Sequence, residues 1–314
     1  MSFNLKTPVA LLIFNRPHCT KKVFETIRRA KPPILLLVAD GPRTNLSSDI
    51  ENCALSRKLV DNIDWNCQVL KNYSDINLGC KYRVSTGLNW VFENVEEAII
   101  LEDDCLPDLS FFRFCEELLE IYHEDERIMA VCGTNFQFGR NKTQESYYFS
   151  RYNHCWGWAS WRRAWQHYDL EMKLWPVIRD QGLLKNILEN DRLFNTWNEI
   201  FESVFCDRID TWDYQWTFAC WAQNGLSVLP NVNLVTNIGY DSEGTHTRDQ
   251  NSHLANIPST SIDFPLKHPS FIIRNARADI FTHNICHQMP FDFRIKKKIR
   301  QLFFKNGINF GFHI

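Results

Sequence analysis

Seven residues carry the densest chemical signal in this chain. Ala98 to Asp104 reads A-I-I-L-E-D-D, four apolar residues running into Glu102, Asp103 and Asp104. Three adjacent carboxylates repel one another, and near neutral pH a cation relieves that repulsion. Hard divalent ions such as Mn²⁺ or Mg²⁺ take oxygen ligands and share them between a carboxylate or two and a substrate's phosphates. The cluster therefore suggests a metal and diphosphate site, against the plainer alternative of an acidic turn closing a strand.

Other residues are weaker on their own. Asp40, in V-A-D-G after an apolar run, can bond a nucleotide's base or ribose, although Asp-Gly is also a common turn. Lys81 and Arg83 open a helix, where backbone amides and side-chain cations could meet a phosphate together. Asp213 lies in the first turn of a helix that Asp210 or Thr211 could cap, a position that acids also take to offset the helix dipole. His246 sits in a polar Gly-Thr-His loop, where a single histidine is usually incidental. In R-Y-N-H-C-W-G-W-A-S-W-R-R-A-W, His154 and Trp156 suit a pocket wall. The spacing of Trp158, Trp161 and Trp165 fits one face of a helix.

The elements that must hold these residues follow the α/β pattern. Residues 7 to 43 read as a βαβ unit, with a buried strand T-P-V-A-L-L-I-F, the turn Asn15-Arg16-Pro17, a helix and a second strand I-L-L-L-V-A. A helix over 46 to 64, a strand at Gln68 to Leu70 and a helix opening at Asn77 lead into the strand at Ala98. An unbroken apolar run there suits a parallel sheet covered on both faces, with the acids at its carboxyl end, where open α/β sheets bind ligands. Asp108 or Ser110 can cap the next helix, which presents Phe111, Cys115, Leu118, Leu119 and Tyr122 on one face. Further on come a strand at Ile128 to Cys132, a helical stretch over 183 to 206, a helix through Trp221, and short strands at 226 to 229 and 234 to 236. Residues 1–256 are expected to form the main domain, with 257–314 as an appendage.

Composition narrows the function classes. The 314 residues carry a formal net charge of −2 and 44% hydrophobic residues, which gives no electrostatic footprint for nucleic acid. Eleven cysteines without a repeated metal spacing point to free thiols in a reducing compartment. No run approaches the ~20 apolar residues of a membrane-spanning helix, and no secretory signal is evident, so a cytoplasmic location is expected. The tail R-I-K-K-K-I-R with Leu302, Phe303, Phe304, Phe310 and Phe312 could lie on an anionic membrane surface or pack on the domain. Neither G-x-G-x-x-G nor a P-loop occurs, which argues against a dehydrogenase or P-loop kinase.

Taken in order, V-A-D-G, the Lys-bearing helix, I-I-L-E-D-D, W-G-W, W-D-Y-Q-W and the Gly-Thr-His loop resemble the GT-A glycosyltransferases over roughly residues 7 to 247. Among these the chain looks most like the family of the mannosyl-glycoprotein N-acetylglucosaminyltransferase that starts complex N-glycans. The resemblance implies a Rossmann-like α/β fold, a mostly parallel sheet flanked by helices, acting on nucleotide-diphosphate sugars. It implies that Asp104 ligates the metal, Asp103 touches the ribose, Glu102 supports the site, Asp40 recognises the base and His246 closes over the donor. Arg16 and Lys81 join the donor-binding set. Asp213, after Trp212, would be the general base, with Asp210 in reserve, and Trp156, Gly157 and Trp158 would line the acceptor side. An inverting transfer from a nucleotide sugar, a UDP-sugar, to a glycan or lipid-linked hydroxyl is the expected reaction. A Golgi glycoprotein acceptor fits poorly without an amino-terminal anchor, and bacterial-type surface polysaccharide fits better. The competing readings are a sugar-phosphate nucleotidyltransferase, which would want a Gly-rich basic loop after the first strand, and a silent carbohydrate-binding scaffold, which would have lost Asp104 or Asp213.

Overall fold

A computed structural model describes residues 3–140, 143–188, 190–240 and 252–287. His246 and the basic aromatic tail lie outside the described residues. The first half of the chain alternates strands and helices: β1 (Val9–Ile13), α1 (Pro17–Ala30), β2 (Ile34–Ala39), α2 (Ser47–Leu59), β3 (Gln68–Tyr73), α3 (Gly79–Asn94) and β4 (Glu97–Glu102). Strands β1, β2 and β4 are apolar runs buried along nearly their whole length, as strands covered on both faces must be. Their order in the sheet is β3-β2-β1-β4, all parallel.

The second half extends this sheet beyond β4. It contributes β5 (Cys105–Pro107), α4 (Leu109–Ile121), β6 (Ile128–Cys132), β7 (Tyr147–Ser150), β8 (Trp158–Trp161), α5 (Arg162–Trp165), α6 (Trp175–Asp180), α7 (Leu184–Ile187), α8 (Asp191–Phe205), α9 (Asp213–Ala222), β9 (Leu226–Pro230), β10 (Val235–Asn237) and α10 (Ala276–Cys286). The full order of the eight-stranded sheet is β3-β2-β1-β4-β8-β6-β9-β7. Strand β8 runs antiparallel to both neighbours and β7 antiparallel to β9, while β6 and β9 are parallel. This is the expected α/β, Rossmann-like architecture, with helices flanking a mostly parallel sheet.

The tryptophan-rich segment departs from the expectation of a helix. Trp158 to Trp161 form β8, with Trp158 opposite Ile100 and Trp161 opposite Glu97. A three-residue spacing puts two side chains on one face of a helix but on opposite faces of a strand. Trp158 accordingly packs among Trp165, Trp212 and Trp216, while Trp161 reaches the other layer and donates its indole N–H to the Leu119 carbonyl in α4. The stretch over 183 to 206 is likewise broken into α7 and α8, and Asn190 caps the second by accepting the Leu193 N–H.

Residues 257–287 pack into the domain, so the boundary placed at 256 does not coincide with a gap. The Thr260 N–H donates to the Asn233 carbonyl at 2.7 Å, and Ser261 donates to Asp108. Asp279 of α10 accepts from Ser150 at 2.5 Å at the end of β7. None of the 11 cysteines is joined in a disulfide. Among the described residues, no helix is long and apolar enough to cross a membrane.

Candidate active site

The three acids stand where the sheet delivers them, at the carboxyl end of β4 between β1 and β8. The Phe14 N–H at the end of β1 donates to Asp103 Oδ2 at 3.1 Å. Arg16, in the turn after β1, donates through one terminal nitrogen to Asp103 Oδ1 at 2.5 Å and holds Asp104 Oδ2 with the other at 3.0 Å. The cation that the sequence demands is thus met first by a side chain of the protein itself. Burial alone would lower the Arg16 guanidinium, but Asp103 and Asp104 raise it above its ordinary value. Among the described residues Glu102 has no ion-pair partner: burial, then the charges of Asp104 and Asp103, push its carboxyl above the usual range, against the pull of Arg16. Burial also raises Asp103, against the pull of Arg16.

The second, small sheet closes over this cluster. Asn237 of β10 pairs with Cys105 of β5, and the Ile238 N–H donates to the Asp104 carbonyl. Gly239 follows, its own N–H given to the Asn237 side chain. A Cβ at Gly239 would overlap Asp104 Oδ2 and lie 2.5 Å from the Arg16 guanidinium, so only glycine permits the chain to pass there.

Three cavities share lining residues, two of them at the acids. One of about 260 Å³ lies over the ends of β1 and β2, lined by Phe14, Arg16, Asp40, Arg83, Glu102, Asp103 and Asp210 among others. A second of about 160 Å³ shares Arg16, Cys80 and Glu102 with it and adds Asp104, Trp156, Asp213 and Asn237. A third of about 170 Å³ shares Cys155, Trp156 and Asp213 with the second and is walled by Phe136, Tyr152, His154, Trp197 and Tyr214. Arg16 and Glu102 therefore stand between the first two cavities, and Asp213 and Trp156 between the last two.

The candidate residues divide on inspection. Asp104 and Asp213 line one cavity although 109 positions separate them in the sequence. Asp213 is the first residue of α9; neither Asp210 nor Thr211 caps that helix through its side chain, and Trp212 occupies the cap position. Instead the Thr211 hydroxyl and the Tyr214 N–H both donate to Asp213 Oδ1. Among the described residues this leaves Oδ2 as the oxygen available to a substrate hydroxyl.

Asp40 lines the first cavity, but its carboxylate already accepts from Gly41, Leu78 and Gly79 N–H groups and from the Asn77 side chain. Its work here is to tie the end of β2 to the start of α3. Lys81 turns away from the cavities into an ion pair with Asp207 at 2.5 Å. Arg83 is the basic residue of α3 that faces the first cavity, anchored on Asn72. Trp156 is a cavity wall, as expected. Gly157 and Trp158 are not: Trp158 is 1% exposed in the core, and Gly157 has φ +67° at a point where a Cβ would run into Val235 and Leu101. Positioning, rather than acceptor contact, is what these two provide.

Several residues of the site carry no sequence signal. Asn237 and Gly239 reach it through the β10–β5 pairing, Trp197 through the placement of α8, and Cys155 through the segment that leads into β8. Among the described residues no group of three or more His, Cys, Asp or Glu is spaced to cage a metal ion. The donor set that is present, the Asp104 carboxylate facing a cavity beside Glu102, suits a hard cation that completes its shell with water and phosphate oxygens.

No family model and no curated protein sequence matches the chain. Among solved structures it is similar to a Pyrobaculum calidifontis mannosyltransferase in complex with GDP-Man and Mn²⁺ (15% identity, TM-score 0.32), covering 51% of this chain and 45% of that one. It is also similar to mouse xyloside xylosyltransferase 1 (11% identity, TM-score 0.34; 69% and 82% covered). A third similar structure is the Anaerococcus prevotii 4-diphosphocytidyl-2C-methyl-D-erythritol synthase (11%, 0.32; 59% and 85%). The chain thus spans less than half of the mannosyltransferase. No residue role is carried over from these proteins.

Proposed function

We propose that this chain is a nucleotide-sugar glycosyltransferase of GT-A type that uses a divalent cation and transfers with inversion, Asp213 acting as general base. One observation carries the reading: a carboxylate positioned by Thr211 lines the same cavity as Asp104 and Arg16, and that cavity shares wall residues with the 260 Å³ cavity on one side and with the aromatic one on the other. The 260 Å³ cavity would take the nucleoside, with Arg16 and the acids at its diphosphate end. The cavity between Asp104 and Asp213 would hold the transferred sugar, and the aromatic cavity beyond would receive the acceptor.

The chemistry follows from what each group can do there. Asp213 Oδ2 takes the proton of the acceptor hydroxyl as that oxygen attacks the anomeric carbon, and Thr211 keeps the carboxylate oriented through Oδ1. Arg16 and Arg83 supply positive charge where the leaving diphosphate gathers negative charge. Asp104, with support from Glu102, would hold Mn²⁺ or Mg²⁺, which would supply Lewis-acid stabilisation of the leaving diphosphate. The base, UDP or GDP, and the acceptor, glycan or lipid-linked, belong to the same proposal. So does the likeness to the N-acetylglucosaminyltransferase family.

A sugar-phosphate nucleotidyltransferase is the competing reading, favoured by the basic Arg16 in the turn right after β1. It leaves Asp213 without work, since that reaction needs no base on the far side of the sugar. Calorimetric titration of the full chain with UDP and with GDP, with and without Mn²⁺, tests the main reading. Metal-dependent binding of one nucleoside diphosphate, lost in Asp104→Ala, is expected. Binding of neither under any metal condition would overturn it, and preference for a nucleoside triphosphate would favour the competitor.

A further inference from the structure

We infer that Arg16 is an internal counter-ion that the donor's diphosphate takes over, so that nucleotide and divalent cation bind cooperatively through this one side chain. The inference rests on the nucleotide-sugar reading. It concerns how the chain's own residues change partners when the ligands arrive.

The geometry defines what can move. The backbone around Arg16 is pinned: Asn15 donates to the buried Asp49 at 2.8 Å, and the Arg16 carbonyl accepts both the N–H and the hydroxyl of Thr20 at 2.9 Å in the first turn of α1. Among the described residues the guanidinium's ion-pair partners are the two carboxylates, and it is 13% exposed on the wall shared by two cavities. The exchange is therefore assigned to the side chain: with Gly239 packed against it, the guanidinium swings toward the cavities that it lines.

The two carboxylates are not left in equal positions by such a swing. Asp103 keeps the Phe14 N–H. Asp104 is left, among the described residues, with the Cys105 thiol at 3.5 Å. Asp104 is thus the acid that becomes available to a cation.

While Arg16 stays, a cation at Asp104 would share Oδ2 with a guanidinium 3.0 Å away. Like charges at that separation disfavour each other strongly in a partly buried site. A diphosphate beside Arg16 offers it a bidentate anion in exchange for the carboxylates. Each ligand then lowers the cost of binding the other, and the coupling must be reciprocal.

The sign of the expected effects separates this device from a plain binding contact. In the wild-type chain, UDP or GDP, whichever binds, is expected to tighten MnCl₂ binding by a factor within the ~5–150-fold range typical of coupled sites. Arg16→Gln is expected to tighten MnCl₂ binding without nucleotide, about 10-fold or more, while weakening nucleotide binding in the presence of Mn²⁺ by a similar factor. The coupling then falls toward 1, because the competitor is gone. Both binding steps are read by calorimetry, with a thermal melt confirming that the variant is folded.

A contact that merely binds phosphate would weaken nucleotide and leave the metal alone. Unchanged or weaker Mn²⁺ affinity in nucleotide-free Arg16→Gln overturns the inference. Should that variant not fold, the wild-type chain still decides, since Mn²⁺ affinity independent of nucleotide overturns it equally. Wild type binding neither nucleotide would sink the donor reading itself; cooperative binding that survives in Arg16→Gln sinks only the exchange.

Discussion

At the scale of single residues, the site separates groups that act from groups that hold. Asp213→Asn keeps the shape of the cavity and removes the base. It is expected to lower kcat by roughly 10²–10⁴-fold and to leave nucleotide affinity unchanged in the same calorimetric assay. The two tryptophans that flank Gly157 should part company in the same way. Trp158→Ala empties a fully buried position between Trp212, Trp216 and Trp165, at a cost of about 3–5 kcal/mol in urea unfolding. Trp156 is only half-buried at a cavity wall, so Trp156→Ala should cost within about 1 kcal/mol and act on acceptor KM instead. Asp40 belongs with the holding group: losing three hydrogen bonds to the start of α3 and one to the Gly41 N–H, Asp40→Ala is expected to lose about 2–4 kcal/mol. If its stability is unchanged while nucleotide affinity collapses, base recognition is its role after all.

At the scale of elements, what was legible in the sequence is what depends on short stretches. The strand I-I-L-E-D-D, the βαβ start and the Asp108 cap all declare themselves by local runs, and the structure keeps them. The tryptophan strand did not, because four residues are too few for period two to be told from period 3.6. Nor could any spacing show that Arg16 would reach the acids: that contact joins residues 87 and 88 positions apart through the β1–β4 pairing. Gly157 illustrates the same limit from the other side, a glycine that reads as loop freedom and proves to be a steric necessity. Its left-handed φ of +67° and the 2.7 Å from a built Cβ to Val235 give Gly157→Ala an expected cost of at least about 2 kcal/mol. Because Val235 is on β10 and Leu101 on β4, that variant should also loosen Asn237 and with it the lid over Asp104. Thermal unfolding and Mn²⁺ titration of the one variant check both effects.

At the scale of the whole molecule, buried titratable groups set how stability answers to pH. Burial lowers His154 to about 3 and His283 to about 4, so each stays neutral in the folded chain while the unfolded chain takes up a proton below about 6.5. Both therefore contribute stability above that pH and lose it as pH falls toward 4, by about 1.4 kcal/mol per pH unit each. Asp279 opposes them: burial raises it to about 6, so it favours the folded state as pH falls through that value. Of these three groups the two histidines outweigh Asp279, so His283→Gln should lessen the fall in Tm between pH 6 and 4. A different consequence concerns how the chain is made. Strand β4 gains its second neighbour only from β8, so during synthesis the parallel half of the sheet waits with an apolar edge uncovered. The roughly 60 residues between them take about 3–12 s to emerge at ribosomal speed, and over that interval A-I-I-L invites pairing with another nascent chain. Expression of this protein is therefore expected to depend on chaperones acting early, before the tryptophan strand arrives to seal the sheet.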